Sequence, residues 1–187
     1  MTKFSIFALG SLSLLLISVQ QSYAQARSSI GIRYGVNKPF ADTYKFGGGI
    51  GLQGTIAIGN KWAIEPSVAY DQINNKRDKL YLPAPYVYFN NVSSLDLVTV
   101  TFAARYYIIP SLYAKLGPTF YAAGGNEDLA GLGIGGNAGV GYQLMLDNRN
   151  KFEFSFNTDL INVERSVGNG ATPIASIRIA YAFNFKR

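Results

Sequence analysis

Cysteine is absent from this chain of 187 residues, and so is histidine. The first absence excludes a disulfide framework, a thiolate nucleophile and a lipid-anchor cysteine. The second removes the commonest general base together with the commonest side-chain metal ligand. Charge is also sparse, at 15% of residues, and the formal excess of +6 is scattered, with Asn75-Lys76-Arg77-Asp78-Lys79 as its one cluster. A nucleic-acid binder gathers such an excess onto one face, so this patch reads as a solvated loop and no nucleic-acid partner is expected. No cofactor, metal site or catalytic residue is expected either.

What the chain has is aromatics and glycine: 13 Tyr, 12 Phe and 20 Gly, a bias that suits a β-barrel better than a helical protein. Its start is separate. Met1-Thr2-Lys3 is basic, and Phe4 to Val19 is an apolar run shorter than the roughly 20 residues of a membrane-spanning helix. Ser22-Tyr23-Ala24 supplies small residues at the cleavage positions. Residues 1–24 are therefore expected to be a signal peptide, leaving 25–187 as one domain.

The rest is organised around a hairpin from Phe46 to Ile73. Ile50, Leu52, Ile56 and Ile58 leave one face and Gly51, Gln53, Thr55 and Ala57 the other, as the period of a strand requires. After Gly59-Asn60, which predicts a two-residue turn with a positive φ at its first central residue, Trp62, Ile64, Pro66, Val68 and Tyr70 alternate with Ala63, Glu65, Ser67, Ala69 and Asp71. Each arm has about a dozen residues, more than the usual 5–6 and enough to cross a membrane with tilt.

Six more strands follow the same rule. Ser28–Asn37 comes before the hairpin; about 95–108, 112–123, 129–145, from Phe152, and a last strand through Ile177–Phe185 come after it. Pro66 and Pro118 fall inside strands, where a missing donor predicts a nearby bulge. Connections one, three, five and seven read as the longer ones, which puts both termini in the periplasm and the connection 74–94 outside the cell.

One face of these eight strands is apolar. The other carries Arg33, Arg105, Lys115 and Arg178 against Glu65, Asp71, Glu153 and Asp159. In water the apolar face would be an untenable exposed surface; against lipid it becomes the outer band, and the charges pair inside. The fold expected is all-β, an eight-stranded antiparallel up-and-down transmembrane β-barrel. Eight strands leave room only for side chains, with Gly47, Gly49 and Gly51 making space for Arg33 and the glycines of the sixth strand making space for Tyr113, Lys115 and Tyr121.

Gly31-Ile32-Arg33-Tyr34-Gly35-Val36-Asn37, the hairpin through Ile64-Glu65-Pro66, Tyr113-Ala114-Lys115-Leu116-Gly117-Pro118 and the final aromatic strand together resemble the outer membrane protein β-barrel family, the small porin-family and PorT-like barrels of Gram-negative bacteria. The resemblance implies export to the outer membrane and contact with its lipid, lipopolysaccharide and the barrel-insertion machinery. It transfers no functional residues.

The leading functional reading is a structural or surface-interaction barrel. Tyr81, Tyr86, Tyr88 and Phe89 of the external connection would touch a surface or periplasmic protein, a glycan or lipopolysaccharide. The rival view of these aromatics is that they pack on one another where the third and fourth strands extend beyond the membrane. A narrow solute channel and an outer-membrane lipid-modifying enzyme are the alternatives. The enzyme would have to work without histidine, and Asp71 and Asp159 read better as interior salt-bridge partners than as catalytic groups.

Overall fold

The computed structural model describes residues 27–41, 44–76, 79–83, 86–90, 92–125, 128–162 and 172–185. The leader expected at 1–24 lies outside them. Ten strands form: β1 (Ser29–Pro39), β2 (Tyr44–Ala57), β3 (Trp62–Asn75), β4 (Lys79–Pro83), β5 (Tyr86–Asn90), β6 (Ser94–Ile109), β7 (Leu112–Gly125), β8 (Asp128–Met145), β9 (Asn150–Ile161) and β10 (Thr172–Asn184). Eight of them close into an antiparallel barrel in the order β1-β10-β9-β8-β7-β6-β3-β2, while β4 and β5 pair only with each other. Closure leaves no edge whose N–H and C=O groups would meet hydrocarbon.

Alternation sets the two faces. Along β1, Ile30, Ile32, Tyr34 and Val36 are exposed while Ser29, Gly31, Arg33, Gly35 and Asn37 are buried, and β3, β9 and β10 keep the same beat. The apolar outer face runs from Ile30 through Leu116 and Ile134 to Phe185. Aromatic pairs mark its periplasmic end: Trp62 against Tyr106, with ring centroids 4.8 Å apart, and Phe152 against Tyr181 at 5.3 Å. Amphipathic rings are favoured at this level of a bilayer.

Several local expectations change. The β2–β3 turn is not a two-residue one, because the Ile58 and Gly59 amides both donate to the Trp62 carbonyl, at 2.9 and 3.3 Å. That leaves Gly59, Asn60 and Lys61 as the loop, and Gly59 stays outside the left-handed region. Three-residue loops are the next choice after two-residue ones in hairpins. Neither Pro66 nor Pro118 has a bulge beside it. Pairing runs in register through both, and the ladder simply lapses at Glu65-Pro66 against β2 and at Gly117-Pro118 against β6. Lacking an N–H, each proline forgoes a bond without shifting its strand.

The bulges lie elsewhere, between Tyr44 and Gly47, Tyr107 and Ile109, and Ala123 and Gly124. The fifth connection is short, since β7 and β8 pair out to Gly125 and Asp128, and the first, 40–43, is no longer than the second, 58–61. Asymmetry between the two ends is therefore carried by the connections 76–93 and 162–171. Within the former, β4 and β5 form a hairpin of their own, from Lys79 paired with Asn90 to Pro83 paired with Tyr86, not a continuation of β3 and β6. It leans toward β7 and β8.

Candidate functional site

The lumen collects the polar residues. All eight charged side chains picked out by alternation, Arg33, Glu65, Asp71, Arg105, Lys115, Glu153, Asp159 and Arg178, are buried there. They form two separate groups along the barrel axis.

In the periplasmic half Arg105, on β6, is the centre, and none of its surface is exposed. Its guanidinium binds Glu65 of β3 through Nε, at 2.8 Å, and Nη2, and it binds Glu153 of β9 at 2.9 and 3.1 Å. Charge-assisted contacts of this forked kind are the stronger class of hydrogen bond. The ring of Tyr113 lies 3.9 Å from the guanidinium carbon, and the Tyr113 hydroxyl donates to Glu153 at 3.2 Å. Lys115 pairs with the second oxygen of Glu65 at 2.7 Å, and Lys151 with Glu153 at 2.6 Å. Gln53 donates across the lumen to Glu153 at 2.9 Å.

In the extracellular half the contacts are shorter in reach. Arg178 of β10 pairs with Asp159 of the adjoining β9 at 2.5 Å, and Asn137 of β8 donates to the same aspartate at 2.6 Å. Asn37 donates to Asp71 at 2.5 Å, and Arg33 to the Ser67 hydroxyl at 3.1 Å. Neither Arg33 nor Asp71 joins an ion pair among the described residues. The buried oxygens Asn37 Oδ1, Asn137 Oδ1, Asn157 Oδ1 and Ser176 Oγ meet no protein donor.

Both ends are stopped by bulk. Tyr44, Ile73, Val92, Leu95, Leu97, Tyr121, Ile161 and Ile174 pack into an apolar plug at the extracellular mouth, so the inner face is not polar throughout. Tyr107 and Tyr113 meet edge to face at 5.9 Å and, with Ala63, close the periplasmic side. Glycine sets where these rings fit. A Cβ on Gly133 would stand 2.3 Å from the Tyr121 ring, and one on Gly141 2.3 Å from that of Tyr113. The atoms nearest a Cβ on Gly47, Gly49 or Gly51 belong to β3, at Ile73, Asp71 and Ala69, and not to Arg33, although Arg33 pairs with Gly51 from the β1 side; Gly35 accommodates Arg178.

Lys151 and Gln143 are network members that the charge pattern alone passed over. Lys151 sits directly after a turn, yet it shares the parity of Glu153, and parity was the signal available. Asp96 is the opposite case: it lies on the outward parity of β6 but is buried, and the Tyr70 hydroxyl donates to it at 2.9 Å. Tyr81, Tyr86, Tyr88 and Phe89 fall on β4 and β5, at backbone positions away from the lumen network.

The chain matches the outer membrane protein beta-barrel domain over residues 7–184. Among solved structures, the outer membrane protein OprG from Pseudomonas aeruginosa is similar at 16% identity, with 88% of this chain and 99% of that one covered and a TM-score of 0.58. Neisserial surface protein A gives 13%, 84%, 97% and 0.57, and the attachment invasion locus protein Ail of Yersinia pestis gives 16%, 86%, 99% and 0.55. No curated protein matches significantly. With a filled, closed eight-stranded barrel and a family match spanning nearly its whole length, the chain belongs to the outer membrane protein β-barrel family and resides in the bacterial outer membrane.

Proposed function

We propose that this protein is a surface-interaction barrel, exported by the leader 1–24 and folded over 25–187. The eight strands serve as its anchor and the connection 74–94 as its contact region. The observation that carries this reading is the division of labour along the axis. The lumen is filled by fixed ion pairs and stopped at both ends, whereas the longest connection folds into a separate hairpin. Tyr81, Tyr86, Tyr88 and Phe89 supply that hairpin with the side-chain types favoured at recognition surfaces. The eight lumen charges then hold the anchor rigid and catalyse nothing. Ail, which shares the fold, has been crystallised with the heparin analogue sucrose octasulfate, so the architecture is compatible with binding at the cell surface.

The test replaces residues 79–90 by a short Gly-Ser linker in cells displaying the protein. Adhesion to immobilised glycans, host-surface proteins and neighbouring cells is then compared with the parent, while the boiling-dependent gel shift verifies that the barrel still forms. Loss of adhesion with the shift retained is the expected result. Discrete conductance steps from the purified protein in a planar bilayer, unchanged by the linker, would overturn this reading in favour of a narrow channel.

A further inference from the structure

The extracellular ends of β1, β2 and β3 differ from the rest of the rim. The bulge between Tyr44 and Gly47 breaks the alternation so that Lys45 and Phe46, adjacent in sequence, both face outward. Bulges characteristically re-aim side chains in this way. Across the β1 side stands Lys38, whose ammonium lies 5.5 Å from the centre of the Phe46 ring and donates to the Tyr44 carbonyl at 3.0 Å. On the β3 side Asn74 holds the Phe46 carbonyl at 2.8 Å, and exposed Lys76 follows just beyond the strand. Phe40 and Phe46 are 70% and 62% exposed. Three cations and two bare aromatic rings therefore share one short arc.

No other barrel strand matches it. Among the described residues, the extracellular ends of β6 to β10 carry neither lysine nor arginine. Lys38, Lys45 and Lys76 have no ion-pair partner among the described residues, and an ammonium that spends one proton on a carbonyl keeps two donors. Below the arc the outer face continues through Val36, Gly48 and Gln72 to Tyr34, Ile50 and Tyr70, which is lipid-facing surface. The arc thus stands where the headgroups of the outer leaflet lie, with cations above and hydrocarbon-compatible rings beside them.

We propose that the arc formed by Lys38, Lys45, Lys76, Phe40 and Phe46 is a docking site for a phosphorylated glycolipid of the outer leaflet, the lysines meeting its phosphates and the phenylalanines its acyl-chain roots. This inference rests on the outer-membrane placement of the barrel. Lysine binds phosphate as a point charge, and each cation at an anionic membrane surface contributes about fivefold in affinity.

The experiment uses the full mature chain in detergent. The temperature of its gel-mobility shift is read with diphosphorylated lipid A, dephosphorylated lipid A, phosphatidylglycerol or inorganic phosphate added. Lipid A should raise that temperature, and the other three should not. Each Lys→Gln change at 38, 45 or 76 should weaken the half-maximal concentration about fivefold, and the triple variant should lose the response. Because Lys45 is exposed and holds no ion pair among the described residues, K45Q alone serves as a variant whose folding is not at risk. An equal response to the dephosphorylated form, to phosphatidylglycerol or to free phosphate, or an unchanged response in K45Q and the triple variant, would overturn the proposal. A protein showing no mobility shift in any condition would instead fail the barrel reading itself, so the two failures are distinguishable.

Discussion

The two halves of the lumen solve one problem differently. In the periplasmic half, contacts reach across the barrel: Arg105 on β6 binds Glu153 on β9 and Gln53 on β2 reaches the same carboxylate, while Gln143 on β8 joins them by accepting from Lys151 of the adjoining β9 at 3.3 Å. In the extracellular half they run between near neighbours, Asn37 to Asp71 and Arg178 to Asp159, and several buried oxygens stay unmatched. The first arrangement ties β2, β3, β6, β7, β8 and β9 into one unit; the second leaves two clusters, one on β1 and β3 and one on β8 to β10. Cross-lumen ion pairs resist changes in barrel shape, because moving one strand disturbs all the others. Stability should therefore be concentrated near Arg105, and the extracellular half, where the proposed binding surface sits, should tolerate more change.

The largest effect should come from Arg105→Leu, which removes the link across the lumen and leaves Glu65 to Lys115 and Glu153 to Lys151. Breaking a buried pair in this way costs about 3–5 kcal/mol, to be read as a fall in the urea midpoint of the lipid-reconstituted barrel. Converting Glu65 and Glu153 to Gln in the same chain should deepen that loss, since Lys115 and Lys151 would then stay buried without the carboxylates they pair with. Next comes Gly141→Val, which forces the Tyr113 ring off Arg105; overpacking of this kind costs about 1–3 kcal/mol and should lower the temperature of the gel shift. Arg33→Met should cost less than Arg105→Leu, because Arg33 has a serine as its hydrogen-bond partner and stands near Arg178. Equal losses for the two would erase the contrast between the halves.

The smallest effect concerns the β8–β9 turn. Asp147 accepts from the Asn150 side chain at 2.8 Å and from the Arg149 and Asn150 amides at 2.6 and 2.7 Å, and these bonds, the Asn150 side chain first, hold its carboxyl below the usual carboxylate range. A depressed pKa contributes stability above the unfolded value and loses it as pH falls through the folded one. Asp147→Ala should therefore shift the urea midpoint slightly at neutral pH and not at all once the carboxyl is protonated.

Much of this was legible in the chain, for a physical reason. Period-two alternation over Ile30 to Asn37 or Phe152 to Asp159 fixes which face each residue takes, and hence the barrel and its inward charges. It says nothing of height along the axis. Whether Glu153 meets Arg105 or Arg178 depends on the stagger accumulated around eight pairings, which no single strand encodes. Leu95, Leu97 and Ile161 share the inward parity, yet their role as a plug emerges only when the strand ends converge. The β4–β5 hairpin was hidden for another reason: its prolines and aromatics carry no clean period.

The seam between β1 and β10 pairs all 11 residues of β1 without a lapse, unlike the ladders interrupted at Pro66 and Pro118. It joins β1 to β10, so the wall cannot be closed until both strands are in place. A half-zipped wall would leave both margins bare in hydrocarbon, and contacts between such distant segments form slowly. Closure of the wall is consequently the step that waits for the longest-range contact in the fold.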